Sequence, residues 1–214
     1  MIKAVIFNFN GTIYDSTQYI WKARSIYLEK LGIKISKEEI ASYLGRALED
    51  QLRIINEIHH LDIKYESFSK ETRKIAKQLM TEANIQPNPG VVELLEELKE
   101  NKLKIGISSF MPRQLLFEDL DMMNLTKSFN EITTLEDIKN YKPDPEYLLT
   151  EADKLKVEPK ECVYICDDNE GVIVAKSLGM KTVKLKNNLQ KENHEADLVV
   201  NSLKDINLKI LLEL

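Results

Sequence analysis

The first residues of the chain that could do chemistry are two amides followed by a glycine and a threonine. Asn8 and Asn10, with Gly11 and Thr12 behind them, follow the first apolar run of the sequence. Residues two apart on an extended segment point the same way, so the two amides would face one side. Gly11 permits a tight turn, and Thr12 adds a hydroxyl group. A strand-to-helix turn would use the same residue types, so this segment alone leaves both interpretations open.

Three later segments also place polar side chains after apolar runs. Ser108 and Ser109 supply hydroxyl groups that could donate to a phosphoryl group, and Lys142 precedes a proline that restricts its approach. Asp167 and Asp168 end another apolar run, and paired carboxylates suit a hard divalent cation better than a packed core. Helix capping or solvation of a strand end would explain each segment taken alone. The informative feature is their order along the chain.

The elements that would position these residues alternate between short strands and helices. Apolar or β-branched runs predict strands at residues 3–7, 104–108, 131–133, 162–165, 181–184 and 198–200. Helical periodicity predicts helices at residues 90–99, 111–120, 144–155, 171–178 and 208–214. Such alternation is typical of an α/β fold with a doubly wound, Rossmann-like parallel sheet.

One region interrupts the alternation with helices alone. Amphipathic patterns predict helices at residues 18–31, 37–44, 48–59 and 65–82, and a turn-rich exit follows at residues 86–90. We therefore expect an α/β core formed by residues 1–15 and 85–214 and an inserted α-helical cap formed by residues 16–84. Trp21 is expected in the core of this cap. His59 and His60 are expected to be a surface pair, because neighbours on a helix diverge by about 100°.

Composition excludes several classes of function. The 214 residues include 30 Lys and Arg against 35 Asp and Glu, a net charge of −5 with mixed signs, so nucleic acid is not an expected partner. No stretch approaches about 18 apolar residues, so no membrane span is expected. Cys162 and Cys166 lie in a predicted buried strand, which favours free thiols and a cytoplasmic location. Glycine-rich nucleotide motifs do not follow the predicted strands.

The order Asn-x-Asn-Gly-Thr, Ser-Ser, Lys-Pro and Asp-Asp resembles the haloacid dehalogenase superfamily. Together with the helical insertion, the resemblance covers essentially the whole chain and is similar to the phosphoglycolate phosphatase and β-phosphoglucomutase branch. It implies hydrolysis of a small phosphorylated metabolite through an aspartyl-phosphate, with Mg²⁺ as cofactor. A true dehalogenase keeps the first aspartate and does not need Mg²⁺, so the Gly-Thr and Asp-Asp pattern makes it a distant third alternative.

The resemblance also assigns roles to residues. The positions of the nucleophile and of the acid/base are those of Asn8 and Asn10, and Ser108 and Lys142 would neutralise the transferring oxygens. Gly11, Thr12 and Ser109 would support substrate binding. The implied metal ligands are Asn8, the carbonyl of Asn10, Asp167 and Asp168. In the cap, Arg46 would grip an anionic group of the substrate.

The departure from the family falls on the two residues that carry the chemistry. The family has aspartate at positions 8 and 10, and a neutral amide neither forms an acyl-phosphate efficiently nor exchanges a proton near neutral pH. The chain as written is therefore expected to be inactive. Two explanations stay open: an active enzyme whose aspartates were replaced, or a gene that encodes asparagine and a protein that binds a phospho-ligand or a protein partner. A monomer or a homodimer is expected.

Overall fold

The computed structural model describes residues 1–36, 39–40, 43, 48–186 and 195–214. The chain divides into two compact units, which we call the sheet unit (Met1–Asp15 and Gln86–Leu214) and the helical unit (Ser16–Ile85). The helical unit differs from the predicted cap, residues 16–84, by one residue.

A six-stranded parallel sheet forms the centre of the sheet unit, in the order β3-β2-β1-β4-β5-β6. Its strands are β1 (Ala4–Asn8), β2 (Lys104–Ser108), β3 (Glu131–Thr133), β4 (Cys162–Cys166), β5 (Lys181–Leu185) and β6 (Leu198–Val200). The chain builds outward from β1 through β2 to β3 and then returns to the other side of β1 with β4. The predicted α/β fold with a doubly wound parallel sheet is confirmed. Ligands of such sheets bind where the order reverses, which here is between β1 and β4.

Helices flank the sheet and form the helical unit. They are α1 (Thr17–Glu29), α2 (Leu48–His59), α3 (Tyr65–Glu82), α4 (Val91–Glu100), α5 (Arg113–Met122), α6 (Glu146–Lys154), α7 (Asn169–Ser177) and α8 (Leu208–Glu213), with short 3₁₀ turns at Leu135–Asp137, Pro159–Glu161 and Leu203–Asp205. None of the helices in the described ranges is both long enough and apolar enough to cross a bilayer.

Several predicted element ends shift for local reasons. β1 extends one residue further, to Asn8, because it continues to pair with β2. Helix α4 starts at Val91 because Gly90, with φ of 92°, adopts a left-handed conformation that a helix interior excludes. Helix α5 starts at Arg113, after Pro112, since proline cannot supply an interior amide hydrogen. Helix α7 starts two residues early because Asp168 caps it.

Aromatic and aliphatic side chains together form the core of the helical unit. Trp21 stacks on Tyr43 with ring centroids 5.8 Å apart, and Tyr27 packs edge-on against Phe68. Trp21 is therefore a core residue, as predicted. The predicted helix at residues 37–44 lies largely outside the described residues.

His59 is half-buried, so the predicted surface histidine pair holds fully for His60 alone. Its side chain is only 18% exposed, and its Nε2 atom lies 2.7 Å from Oε1 of Glu39. His60 is exposed and adopts a left-handed φ of 54° after the end of α2. The sequence around His59 could not reveal this contact, because Glu39 lies 20 residues earlier in the chain.

Candidate active site at the carboxyl ends of β1, β2 and β4

The carboxyl ends of three adjacent strands bring most of the predicted site residues to one edge of the sheet. Asn8 ends β1 and pairs in register with Ser108, which ends β2. Asp167 and Asp168 directly follow β4, the other neighbour of β1. This edge lies at the reversal of strand order, where a ligand crevice is expected.

A tight loop after β1 carries Gly11 against Asp167. The carbonyl of Phe9 accepts a hydrogen bond from the amide of Ile13 at 2.9 Å, and the amide of Gly11 donates to the carbonyl of Tyr14 at 2.9 Å. Gly11 has a φ of 81°, and a Cβ atom placed on it would overlap the carboxylate of Asp167. Gly11 is therefore required both by its backbone conformation and by the close approach of this acid.

Asn88 clamps the loop from the segment that returns to the sheet unit, a role that sequence reasoning missed. Its Nδ2 atom donates to the carbonyls of Gly11 (3.2 Å) and Thr12 (3.0 Å), while its backbone amide donates to the carbonyl of Ile13 at 2.8 Å. The sequence signal was only an asparagine between two prolines, which predicts a turn. Its partners lie more than 70 residues away in the chain, so spacing could not reveal them.

The amide group of Asn8 bridges the loop and the end of β4. Its Nδ2 atom donates to the carbonyl of Asn10 at 2.7 Å and to Oδ1 of Asp167 at 3.1 Å. Both partners are oxygens that only accept, so the donating side of the amide must face them. The side chain of Asn8 therefore holds two oxygen atoms together across the reversal point.

Lys142 reaches the site by pairing with Asp168. Its Nζ atom lies 2.6 Å from Oδ2 of Asp168, with the two side chains 15% and 20% exposed. The other carboxylate oxygen accepts the amide hydrogen of Gly171 at 2.6 Å and so caps α7. The rings of Phe110 and Tyr147 lie 5.8 Å and 5.5 Å from the ammonium group. These two aromatic neighbours stabilise the cation and were not foreseen from the sequence.

Two of the three predicted hydroxyl donors already have partners. Ser108 donates to the carbonyl of Tyr147 at 3.0 Å, and Ser109 accepts the amide hydrogen of Met111 at 3.2 Å. Thr12 is fully buried, and its hydroxyl group has no hydrogen-bond partner within the described part of the chain. The proposed substrate contacts of these residues stay predictions.

Burial controls the ionisation of the groups behind the site. Burial, reinforced by the charge of Asp168, raises the pKa of Tyr147 and of the Cys166 thiol well above their usual values. Burial likewise raises the pKa of Tyr164. These groups stay protonated near neutral pH, so Cys166 is not a nucleophile here.

Arg46, the predicted contact for an anionic substrate group, lies outside the described residues. The other predicted site residues all belong to the sheet unit. The candidate site, as far as the structure describes it, therefore lies in the sheet unit. The role of Arg46 stays a prediction.

As arranged, the donor set does not fit Mg²⁺. Asn8 directs its N–H side at the carbonyl of Asn10 and at Asp167, and Asp168 already binds Lys142 and the start of α7. Oδ1 of Asp167 accepts a hydrogen from the Asn8 amide, and neither amide side chain brings the negative charge that favours binding of a hard cation. Among the described residues, no group of three or more His, Cys, Asp or Glu side chains could hold a metal ion.

Comparison with known proteins gives a consistent assignment. Residues 5–185 match the family model described as haloacid dehalogenase-like hydrolase. The chain is 29% identical to a phosphorylated carbohydrates phosphatase of Thermotoga maritima, over 85% of this chain and 84% of that protein. It is also 29% identical to the β-phosphoglucomutase of Bacillus subtilis, over 99% of this chain and 95% of that enzyme.

The fold comparison agrees with the sequence comparison. The crystal structure of a β-phosphoglucomutase from Clostridium difficile matches with a TM-score of 0.80 and 29% identity, covering 100% of this chain and 96% of that one. Since the family model spans residues 5–185, most of the chain, this chain belongs to the haloacid dehalogenase-like hydrolase family.

Proposed function

We propose that this chain is a phosphatase scaffold that binds a small phosphorylated carbohydrate and does not hydrolyse it. The observation that carries the proposal is the assembled edge of β1, β2 and β4, with Lys142 in place and amides at positions 8 and 10. The substrate class is supported by the names of the relatives, one a phosphatase of phosphorylated carbohydrates and the other a β-phosphoglucomutase.

The amides block hydrolysis at both chemical steps. Attack through an aspartyl-phosphate needs a carboxylate at position 8, and proton transfer at position 10 needs an ionisable group. Neither amide provides these functions, and loss of the proton transfer alone costs about 10²- to 10⁴-fold in rate. This conclusion holds whether the asparagines replaced aspartates or are encoded by the gene.

Binding depends on the groups that the amides leave intact. Lys142 offers an ammonium group, held between two rings and a carboxylate, that can also contact the oxygens of a phosphoryl group. Gly11 of the tight loop lies against Asp167, which directly follows β4. The chain's own residues would therefore orient the phosphoryl group, and the reaction would stop at the bound state.

Calorimetric titration with glucose 6-phosphate, with glucose as control, tests this proposal directly. We expect saturable binding of the phosphate ester, no binding of glucose, and loss of binding in Lys142→Met. Hydrolysis of the ester should be absent in the unsubstituted chain and should appear when Asn8→Asp and Asn10→Asp are combined. Failure of the chain to bind any phosphate ester would overturn the proposed function.

A further inference from the structure

We infer that the Asn8 amide group takes the place of a divalent cation in this site, so that a phosphorylated ligand is bound without Mg²⁺. The ligand in this inference rests on the proposed function, whereas the role of Asn8 rests on its own contacts. Its Nδ2 atom lies 2.7 Å from the carbonyl oxygen of Asn10 and 3.1 Å from Oδ1 of Asp167.

The two hydrogen bonds from Asn8 reduce the repulsion between two neighbouring oxygen atoms. The carbonyl oxygen and the carboxylate oxygen converge on one point from the loop after β1 and from the end of β4, and both are electron-rich. Two electron-rich oxygens that converge in this way repel each other unless a positive group lies between them. An NH₂ group has two hydrogens and serves both oxygens at once.

A cation would have to break this arrangement in order to bind. Both hydrogen bonds would be lost, and the amide would have to rotate so that its oxygen, rather than its nitrogen, faced the metal. The rotated amide would still bring no negative charge, and hard cations gain affinity chiefly from charged oxygen ligands. Mg²⁺ therefore competes with an interaction that is already satisfied.

The charges at the site support the same conclusion. Lys142, Asp167 and Asp168 together carry one positive and two negative charges, a net charge of −1. With aspartate at positions 8 and 10 the net charge would be −3, and a bound divalent cation would return it to −1. The two amides thus give the site, without a metal, the net charge that a dicarboxylate version reaches only with one.

Metal binding can be measured without any assay of activity. We would titrate the full chain, Asn8→Asp and Asn10→Asp with Mn²⁺ and follow free Mn²⁺ by electron paramagnetic resonance. A new carboxylate within about 4 Å of a divalent ion should raise affinity at least about tenfold. We expect this gain in Asn8→Asp and a clearly smaller one in Asn10→Asp, a matched control that adds the same charge but leaves the Asn8 amide in place.

A second titration examines the ligand. The affinity of the unsubstituted chain for inorganic phosphate should be the same in EDTA and in excess Mg²⁺, whereas phosphate binding to Asn8→Asp should depend on Mg²⁺. Phosphate binding that requires Mg²⁺ in the unsubstituted chain, or an equal gain in Mn²⁺ affinity in the two variants, would overturn the inference. If the chain bound no phosphate in either buffer, the proposed function would fail, and the Mn²⁺ comparison would still decide the role of Asn8.

Discussion

Glu151, a carboxylic acid buried in the sheet unit, makes stability depend on pH. It lies on α6 and is fully buried, and burial raises the pKa of its carboxyl group to about 7, although Thr133 and Lys154 oppose the rise. The carboxyl group packs against Gly106 of β2, where any larger residue would overlap it. Glu151→Gln keeps the shape and the neutral form of the side chain and removes its titration.

The direction and the size of the change in stability follow from the pKa of Glu151 in the folded chain and in the unfolded chain. The raised pKa means that the folded chain holds this proton more tightly than the unfolded chain, whose pKa is near 4.5. The stabilisation is fully present below about pH 4.5 and is lost as the pH rises to about 7. At about 1.4 kcal/mol per pH unit, the loss is about 3 kcal/mol in the free energy of unfolding.

Urea unfolding between pH 4.5 and pH 8 tests the magnitude. We expect the free energy of unfolding of the unsubstituted chain to fall by about 3 kcal/mol relative to Glu151→Gln across this range and to level off above about pH 7. Glu93→Gln, an exposed acid on α4, is the control and should run parallel to the unsubstituted chain. Parallel curves for Glu151→Gln as well would refute the assignment of a proton to the buried acid.

Three further substitutions test the loop and the end of β4 by urea unfolding. Gly11→Ala should lower the free energy of unfolding by about 1 to 2 kcal/mol because of its left-handed backbone, and further because the new methyl group overlaps Asp167. Gly32→Ala is the control, since Gly32 has a φ of 80° but open space around it, and should lose only the backbone part. Equal losses in the two variants would contradict the contact between Gly11 and Asp167. Asn88→Ala should lose about 1 to 3 kcal/mol because two loop carbonyls lose their donor, and no loss would mean that the loop holds itself. Asp168→Ala should be about 1 kcal/mol less stable than Asp168→Asn, since asparagine still caps α7; identical stabilities would exclude the cap.

The sheet could be predicted because its strands are buried on both faces. Ala4, Val5, Ile6 and Phe7 of β1 are each fully buried, so the strand reads as an unbroken apolar run rather than as an alternating one. The regular alternation with helices then fixed the parallel topology, since parallel strands need a crossover helix between them. The location of the candidate site could be predicted as well, because the carboxyl ends of parallel strands lie at the same edge of the sheet.

The contacts within the site could not be predicted, because they depend on distance in space. Residue types identified Asn8 and Lys142 as site residues but gave no sign that an amide nitrogen would face two oxygens or that two rings would flank the ammonium group. Asp168 was predicted to be a metal ligand, and the structure shows its oxygens held by Lys142 and by the start of α7. Spacing along the chain records neither of these partners.

The same geometry explains why asparagine fits position 8 better than aspartate would in the absence of a metal. A carboxylate there would put a third electron-rich oxygen against the carbonyl of Asn10 and Oδ1 of Asp167, at distances where Asn8 now makes hydrogen bonds of 2.7 Å and 3.1 Å. Like charges at such separations destabilise each other unless a cation lies between them. In this proposal asparagine removes both the nucleophile and the need for a cation in one change, which links the proposed loss of turnover to the proposed metal-free binding of the ligand.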